Sequence, residues 1–177
     1  MANKAAPKKE LEKAPAIEKP GKVFLSRVDI ENFRGIKNIS LDLDETTVLI
    51  GENNTSKTSI LDAIQICLSR TVRGKSQFFS EYDYHLVGKK NQPVDSDPIK
   101  ITLCFAERKE SEWPDEIVQI VGDGTQVDAK GLQSVTLCIT SRYDEAAQDF
   151  ITDWDCLDLA GKPLIKAKQP RFLIQLQ

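Results

Sequence analysis

The chain has 177 residues, of which 40% are hydrophobic and 29% charged, the balance of an ordinary globular domain with a real core. A net charge of −3 and an isoelectric point near 5.3 exclude whole-protein attraction to nucleic acid, so a DNA contact would need a local basic patch. No apolar run approaches the roughly 20 residues that span a bilayer, and no apolar stretch near the N-terminus makes a signal peptide, so the chain reads as soluble and cytoplasmic, without a membrane partner.

Residues 1–22 are Ala, Lys, Glu and Pro with almost nothing large to bury, and Pro7, Pro15 and Pro20 interrupt any helix, so they read as a disordered tail. The domain is expected over residues 23–177. Its first segment is of strand type, with Phe24, Val28 and Ile30 on one face, and turns at Asn32-Phe33-Arg34-Gly35. Ile39, Leu41 and Leu43 then alternate with Ser40, Asp42 and Asp44, which spells a half-buried strand joined to the first as a hairpin through Gly35. Thr46-Thr47-Val48-Leu49-Ile50 does not alternate, and a short apolar run ending at a glycine suits a central strand covered on both faces. A helix follows, in which Ile60, Leu61, Ile64, Cys67 and Leu68 form one apolar stripe.

From Arg70 to Pro98 the text is polar and broken by Gly74, Gly88, Pro93 and Pro98, a loop with one helical turn around Phe79. Ile99, Ile101, Leu103 and Phe105 alternate with polar or small residues, Val135, Leu137 and Ile139 repeat the pattern, and Asp149 to Leu159 forms a further strand. These make an antiparallel meander with the Gly122, Gly124 and Gly131 stretch as a long connection.

The chemistry sits between the central strand and the helix. Gly51-Glu52-Asn53-Asn54-Thr55-Ser56-Lys57-Thr58 matches the P-loop pattern G-x-x-x-x-G-K-[ST] except at its second glycine, which here is Ser56. In such a loop successive backbone amides and the helix N-terminus point at one anion. Gly51 permits the sharp exit from the strand, Lys57 bridges the β- and γ-phosphates, the Thr58 hydroxyl ligates Mg²⁺, and Ser59 opens the helix beside them. A glycine at position 56 would bring backbone close to phosphate with no Cβ in the way; serine is the smallest polar substitute.

Other constellations carry less. Asp95-Ser96-Asp97 and Asp153-Trp154-Asp155 read as solvated carboxylates, Asp144-Glu145 as a turn, and His85, the only histidine, as a surface or capping residue. Trp113 and Trp154 read as core or sheet-face anchors, and the scattered Cys67, Cys104, Cys138 and Cys156 as reduced core residues rather than a zinc site.

The stretch from Val28 to Leu68, containing "IENFRGIKNISLDLDETTVLIGENNTSKTSILDAI", resembles the N-terminal half of the ABC-type ATPase head of SMC and RecF-like proteins. It is most similar to the overcoming lysogenization defect (OLD) family of ATP-dependent endonucleases, which includes anti-phage relatives and whose members often continue with text like "SEYDYHLVG" and "ITLCFAERKESEWPD". The resemblance implies a P-loop NTPase of α/β class, the N-terminal lobe of an ABC-ATPase head, with an added antiparallel β-meander. It implies ATP and Mg²⁺ as cofactors, DNA as the partner of the full-length family, and a homodimer or higher oligomer. It makes Arg34 a candidate contact to phosphate or adenine, with a turn arginine as the alternative, and Asp83 a candidate approach to the metal.

No Leu-Ser-Gly-Gly-type signature is present, nor a four-residue apolar run ending in Asp-Glu, nor the surroundings of a Toprim nuclease site. The end at Gln177 after Phe172-Leu173-Ile174 reads like a chain cut before its remaining strands. Three readings stand: the ATP-binding segment of an OLD-like ATPase-endonuclease, binding nucleotide without turnover; a RecF- or SMC-type DNA-repair head; and a truncated non-catalytic remnant.

Overall fold

The computed structural model describes residues 22–52, 56–68, 79–86 and 92–164. Apart from Lys22, the expected tail lies outside these residues, as do Asn53, Asn54, Thr55 and the C-terminal Phe172-Leu173-Ile174.

Six strands form one antiparallel sheet: β1 (Phe24–Phe33), β2 (Ile36–Asp42), β3 (Ile99–Ala106), β4 (Gln126–Val127), β5 (Gln133–Asp144) and β6 (Asp149–Leu157). Their order is β2-β1-β3-β5-β4, with β6 also pairing β5. The fold described is therefore mostly antiparallel β-sheet with few helices, α1 (Lys57–Leu68) and the short α2 (Asp115–Val121) among them. Residues opposite one another in an antiparallel ladder share a face, so the register lays down apolar rows across the sheet. One runs Leu41, Val28, Leu103, Leu137, Cys156 and the next Ile39, Ile30, Ile101, Ile139, Trp154. Val28, Ile30, Ile101 and Leu103 are fully buried, and α1 covers this face over β1 and β3.

The hairpin through Gly35, the strands from Ile99, Val135 and Asp149, and the antiparallel meander match the pattern in the text. Four expectations are corrected. First, Leu25 rather than Phe24 joins the face of Val28 and Ile30, because the ladder slips between Leu25 and Arg27 and the extra residue inverts the alternation. Phe24 instead lies under the Arg108 guanidinium, 4.3 Å from its ring centre.

Second, Thr46 to Ile50 is not a strand: no described strand lies beside it to share hydrogen bonds, Val48 and Ile50 are 72% and 90% exposed, and only Leu49 packs on the core. Third, α1 buries Ile60, Ala63 and Cys67, with Ile64 and Ile66 half-buried, and leaves Leu61 and Leu68 in water. Fourth, the Gly122 to Gly131 stretch is not all connection: it holds a 3₁₀ turn at Gly122–Gly124 and β4, and it is preceded by α2, whose Asp115 and Glu116 suit the positive end of a helix. In the loop before β3, Phe79 is buried edge-on against Phe33, and the helical turn is a 3₁₀ turn at Glu81–Asp83.

Among the described residues all four cysteines are free thiols; Cys67, Cys138 and Cys156 are buried. Trp113 is buried, Trp154 packs on the core, and Asp144 caps a turn by accepting from the Ala146 and Ala147 amides. Asp95, Asp97 and Asp153 are exposed. Glu107 is buried because its carboxylate accepts from the Trp113 and Gln133 amides, tying α2's approach to β5.

Candidate nucleotide site

The loop begins where β2 ends. Leu43 donates its amide to Ser26 and stays on the sheet, a turn closes through Asp44 and Thr47, and the chain then runs without regular structure to Gly51 and Glu52. Ser56 ends the loop with φ of 61°, the left-handed region that favours glycine. For a residue with a Cβ that conformation costs about 1 kcal/mol. Its carbonyl accepts from the Ile60 amide at 3.1 Å, so Ser56 is the turn that starts α1. The backbone therefore performs at Ser56 the step for which the P-loop pattern uses glycine.

Lys57 and Thr58 follow on the first turn of α1, and the amides of the first turn, Lys57, Thr58 and Ser59, have no acceptor within the helix. These amides and the macrodipole make that end electropositive. Lys57 is not sunk in apolar packing: its Nζ donates to the carbonyl oxygens of Gly51, at 2.7 Å, and Glu52. The ammonium thus lies across the start of the loop. Thr58 is exposed at the same end. Lys57, Thr58 and Ser59 thus stand together at the electropositive start of α1.

Arg34 and Asp83 are brought together, with each other as partners. The Arg34 guanidinium donates from Nε to Asp83 Oδ1 at 2.8 Å and from Nη1 to Asp62 Oδ2 on α1. The Arg34 amide donates to the Asp83 carbonyl at 2.7 Å, and the Arg34 carbonyl meets His85 Nδ1 at 2.6 Å. Asp83's other oxygen accepts from the Ser80 amide and hydroxyl, both at 2.9 Å. Burial works against the charge on Arg34, but the carboxylates of Asp83 and Asp62 outweigh it and raise the guanidinium pKa. The β1–β2 turn is thereby tied to α1 on one side and to the 81–83 turn on the other.

Two participants lay outside the reading of the sequence. Asp62 is the only acidic residue on α1, and that was the one available sign that a cation stands beside the helix. Gly35 stands opposite Ser56, a proximity that only the folded chain displays. Among the described residues no group of three or more His, Cys, Asp or Glu is placed to hold a metal ion, and no helix is long and apolar enough to cross a membrane.

Known proteins similar to this chain include the following. Endonuclease GajA of Bacillus cereus (strain VD045) is 26% identical over 157 residues, 84% of this chain and 26% of GajA. The DNA replication and repair protein RecF of Rickettsia conorii (strain ATCC VR-613 / Malish 7) is 47% identical over 45 residues, 25% of this chain and 12% of RecF. A chain from a solved structure described as "Structural biochemistry of ATP-driven dimerization and DNA stimulated activation of SMC ATPases" is 13% identical, with a TM-score of 0.47 over 80% of this chain and 72% of that one. The chain thus spans about a quarter of the endonuclease it matches. The kinship with OLD- and RecF-like proteins expected from the text around the P-loop is met. The family model described as "Protein of unknown function (DUF2813)" matches residues 23–176, and the chain belongs to that family.

Proposed function

We propose that this chain binds ATP with Mg²⁺ at Gly51 to Ser59, as the nucleotide-binding segment of an OLD-like ATP-dependent endonuclease acting on DNA. The observation that carries the reading is the left-handed turn at Ser56, which delivers Lys57, Thr58 and Ser59 to the start of α1 with the ammonium folded over Gly51 and Glu52. Lys57 contacts the β- and γ-phosphates, Thr58 the cation, and the amides from Asn53 to Ser59 the remaining oxygens. Arg34 and Asp83 serve as the brace that fixes the β1–β2 turn against α1; a contact from either to ligand would begin with their mutual ion pair opening.

Turnover would need a Walker B pair and a signature loop, which these 177 residues do not carry, and is assigned to the full-length architecture. The endonuclease step and any role in phage defence belong to the full-length architecture, for which the GajA likeness is the support. DNA contact and assembly into a homodimer belong there too, because a net charge of −3 supplies no general attraction to a polyanion. The RecF likeness supports a second reading, a DNA-repair ATPase head without a nuclease.

Thermal unfolding with and without ATP and Mg²⁺ tests the binding step. Ligand at 100 times its Kd stabilises a folded protein by about 2.7 kcal/mol, so a clear rise in Tm is expected for the chain and a much smaller one for Lys57→Ala. Equal behaviour of the two proteins would end the reading.

A further inference from the structure

A Cβ built on Gly35 would stand 2.7 Å from Ser56 Oγ, closer than such atoms approach in folded proteins. The serine hydroxyl therefore occupies the space that a side chain on the β1–β2 turn would need. We propose that Gly35 is a positioning residue of the nucleotide site. Its missing side chain houses the hydroxyl that Ser56 brings to a place where the P-loop pattern has glycine, so positions 35 and 56 act as one unit. The inference rests on the nucleotide-binding reading above and assigns to it a residue outside the motif.

The argument has three steps. Ser56 cannot leave its conformation cheaply, because its φ of 61° and its carbonyl bond to Ile60 start α1. Its hydroxyl must then lie somewhere near the loop, and it lies over Gly35. The turn that carries Gly35 cannot retreat, because Arg34 is bound through its amide and guanidinium to Asp83, through its guanidinium to Asp62, and through its carbonyl to His85. The Asn32 carbonyl, on the same turn, accepts from the His85 amide at 3.0 Å.

An added methyl at position 35 is therefore absorbed on the loop side, by turning the Ser56 hydroxyl toward the loop or by moving Ser56 itself. Moving Ser56 displaces the first-turn amides and Lys57 from the geometry a phosphate needs, and turning its hydroxyl brings that oxygen into the space that a glycine at this position leaves open to phosphate. Glycine at position 56 has no hydroxyl to house and tolerates the same φ without a Cβ penalty, so it relieves the conflict.

The test measures ATP affinity in the presence of Mg²⁺, by titration calorimetry on the full chain, for wild type, Gly35→Ala, Ser56→Gly and the double variant, with Tm recorded without nucleotide. Gly35→Ala is expected to weaken ATP about tenfold, as for residues in direct contact. The double variant is expected to regain wild-type affinity, and Ser56→Gly alone to bind at least as tightly as wild type. A role confined to folding would move Tm and leave the affinity of the folded fraction unchanged, which overturns the proposal. Wild-type affinity in Gly35→Ala, or no recovery in the double variant, overturns it too while leaving ATP binding intact. Absence of ATP binding by wild type instead removes the parent reading and this inference together. Should Gly35→Ala not fold, restored folding and wild-type affinity in the double variant supports the coupling, and a double variant that also fails to fold overturns it.

Discussion

Ile30 is fully buried, flanked in the sheet by Ile39 and Ile101, whereas Ile50, on the approach to the P-loop, leaves 90% of its surface in water. The first has a hydrogen-bonded strand on either side; the second belongs to a segment with no described strand beside it. The sheet is a closed set of mutual contacts in which each apolar row depends on its neighbours. The segment from Thr46 to Glu52 is held at its ends, by Leu43 on the sheet and by Lys57 of α1, and Leu49 packs on the core. The packed sheet and the proposed phosphate loop are thus different parts of the molecule, joined at the β1–β2 turn, where Arg34 and Gly35 meet α1 and Ser56.

That division can be broken from the sheet side first. Leu103→Ala empties a fully buried position at the centre of an apolar row, and a loss of about 2–5 kcal/mol in urea unfolding is expected. The joint comes next. Arg34→Met leaves Asp83, 11% exposed at its side chain, without its guanidinium, while Arg34 itself is 36% exposed and partly screened. A loss of about 1–3 kcal/mol is expected. Arg34→Met combined with Asp83→Asn should cost less than the sum of the two single changes, and strict additivity would show that the pair does not brace the turn.

Alkaline titration probes the core more gently. Burial pushes up the Cys67 thiol from its ordinary 9.0, reinforced by Cys138. It also raises Tyr84 from its ordinary 10.0, against a partial opposing effect of the Ser141 hydroxyl. Both groups are held neutral when folded and ionise more readily when unfolded. Their contribution is complete below the unfolded values and falls as pH rises through and above them. Stability is expected to decline above pH 9.0, by roughly 1.4 kcal/mol per pH unit for one fully shifted group. Cys67→Ala should flatten the first part of that slope, and an unchanged slope would assign the loss to other groups. The smallest effect is expected where the contrast with the sheet is sharpest: Val48→Thr and Ile50→Thr, at exposed positions, should change the unfolding free energy by less than about 0.5 kcal/mol. A larger loss would mean that this segment is covered in solution.

The same contrast explains what the sequence could show. The β3 residues Ile99, Ile101 and Leu103 alternate strictly and are fully buried, because a strand covered on one face writes its burial directly into a period of two. The slip between Leu25 and Arg27 leaves no mark in composition, so Phe24 looked like a core residue and Leu25 did not. In α1 apolar residues stand at 60, 61, 63, 64 and 66 to 68, more than half of the circumference. The text could not choose between the stripe centred on Leu61 and the one centred on Ala63; packing on β1 and β3 chose the latter. An apolar run such as Val48-Leu49-Ile50 states that burial would be favourable and not that a partner strand is at hand.

At the site, the Lys57-Thr58 pair and the helix behind it came from the motif, and Asp83 came from the resemblance as a candidate approach to the metal; in the fold its carboxylate is engaged by Arg34 and Ser80. The bonds among Arg34, Asp62 and Asp83 and the approach of Gly35 to Ser56 join residues distant in the chain, and local pattern carries no trace of them.

The most direct measurement is a titration of ATP and Mg²⁺ into the isotopically labelled chain, followed through its backbone amide resonances. Saturating shifts at Gly51 and at the amides from Ser56 to Ser59, with the sheet amides of β3 and β5 unmoved, are the result expected. Resonances of Lys57, Thr58 and Ser59 that stay in place while nucleotide is added would contradict a phosphate site at the start of α1.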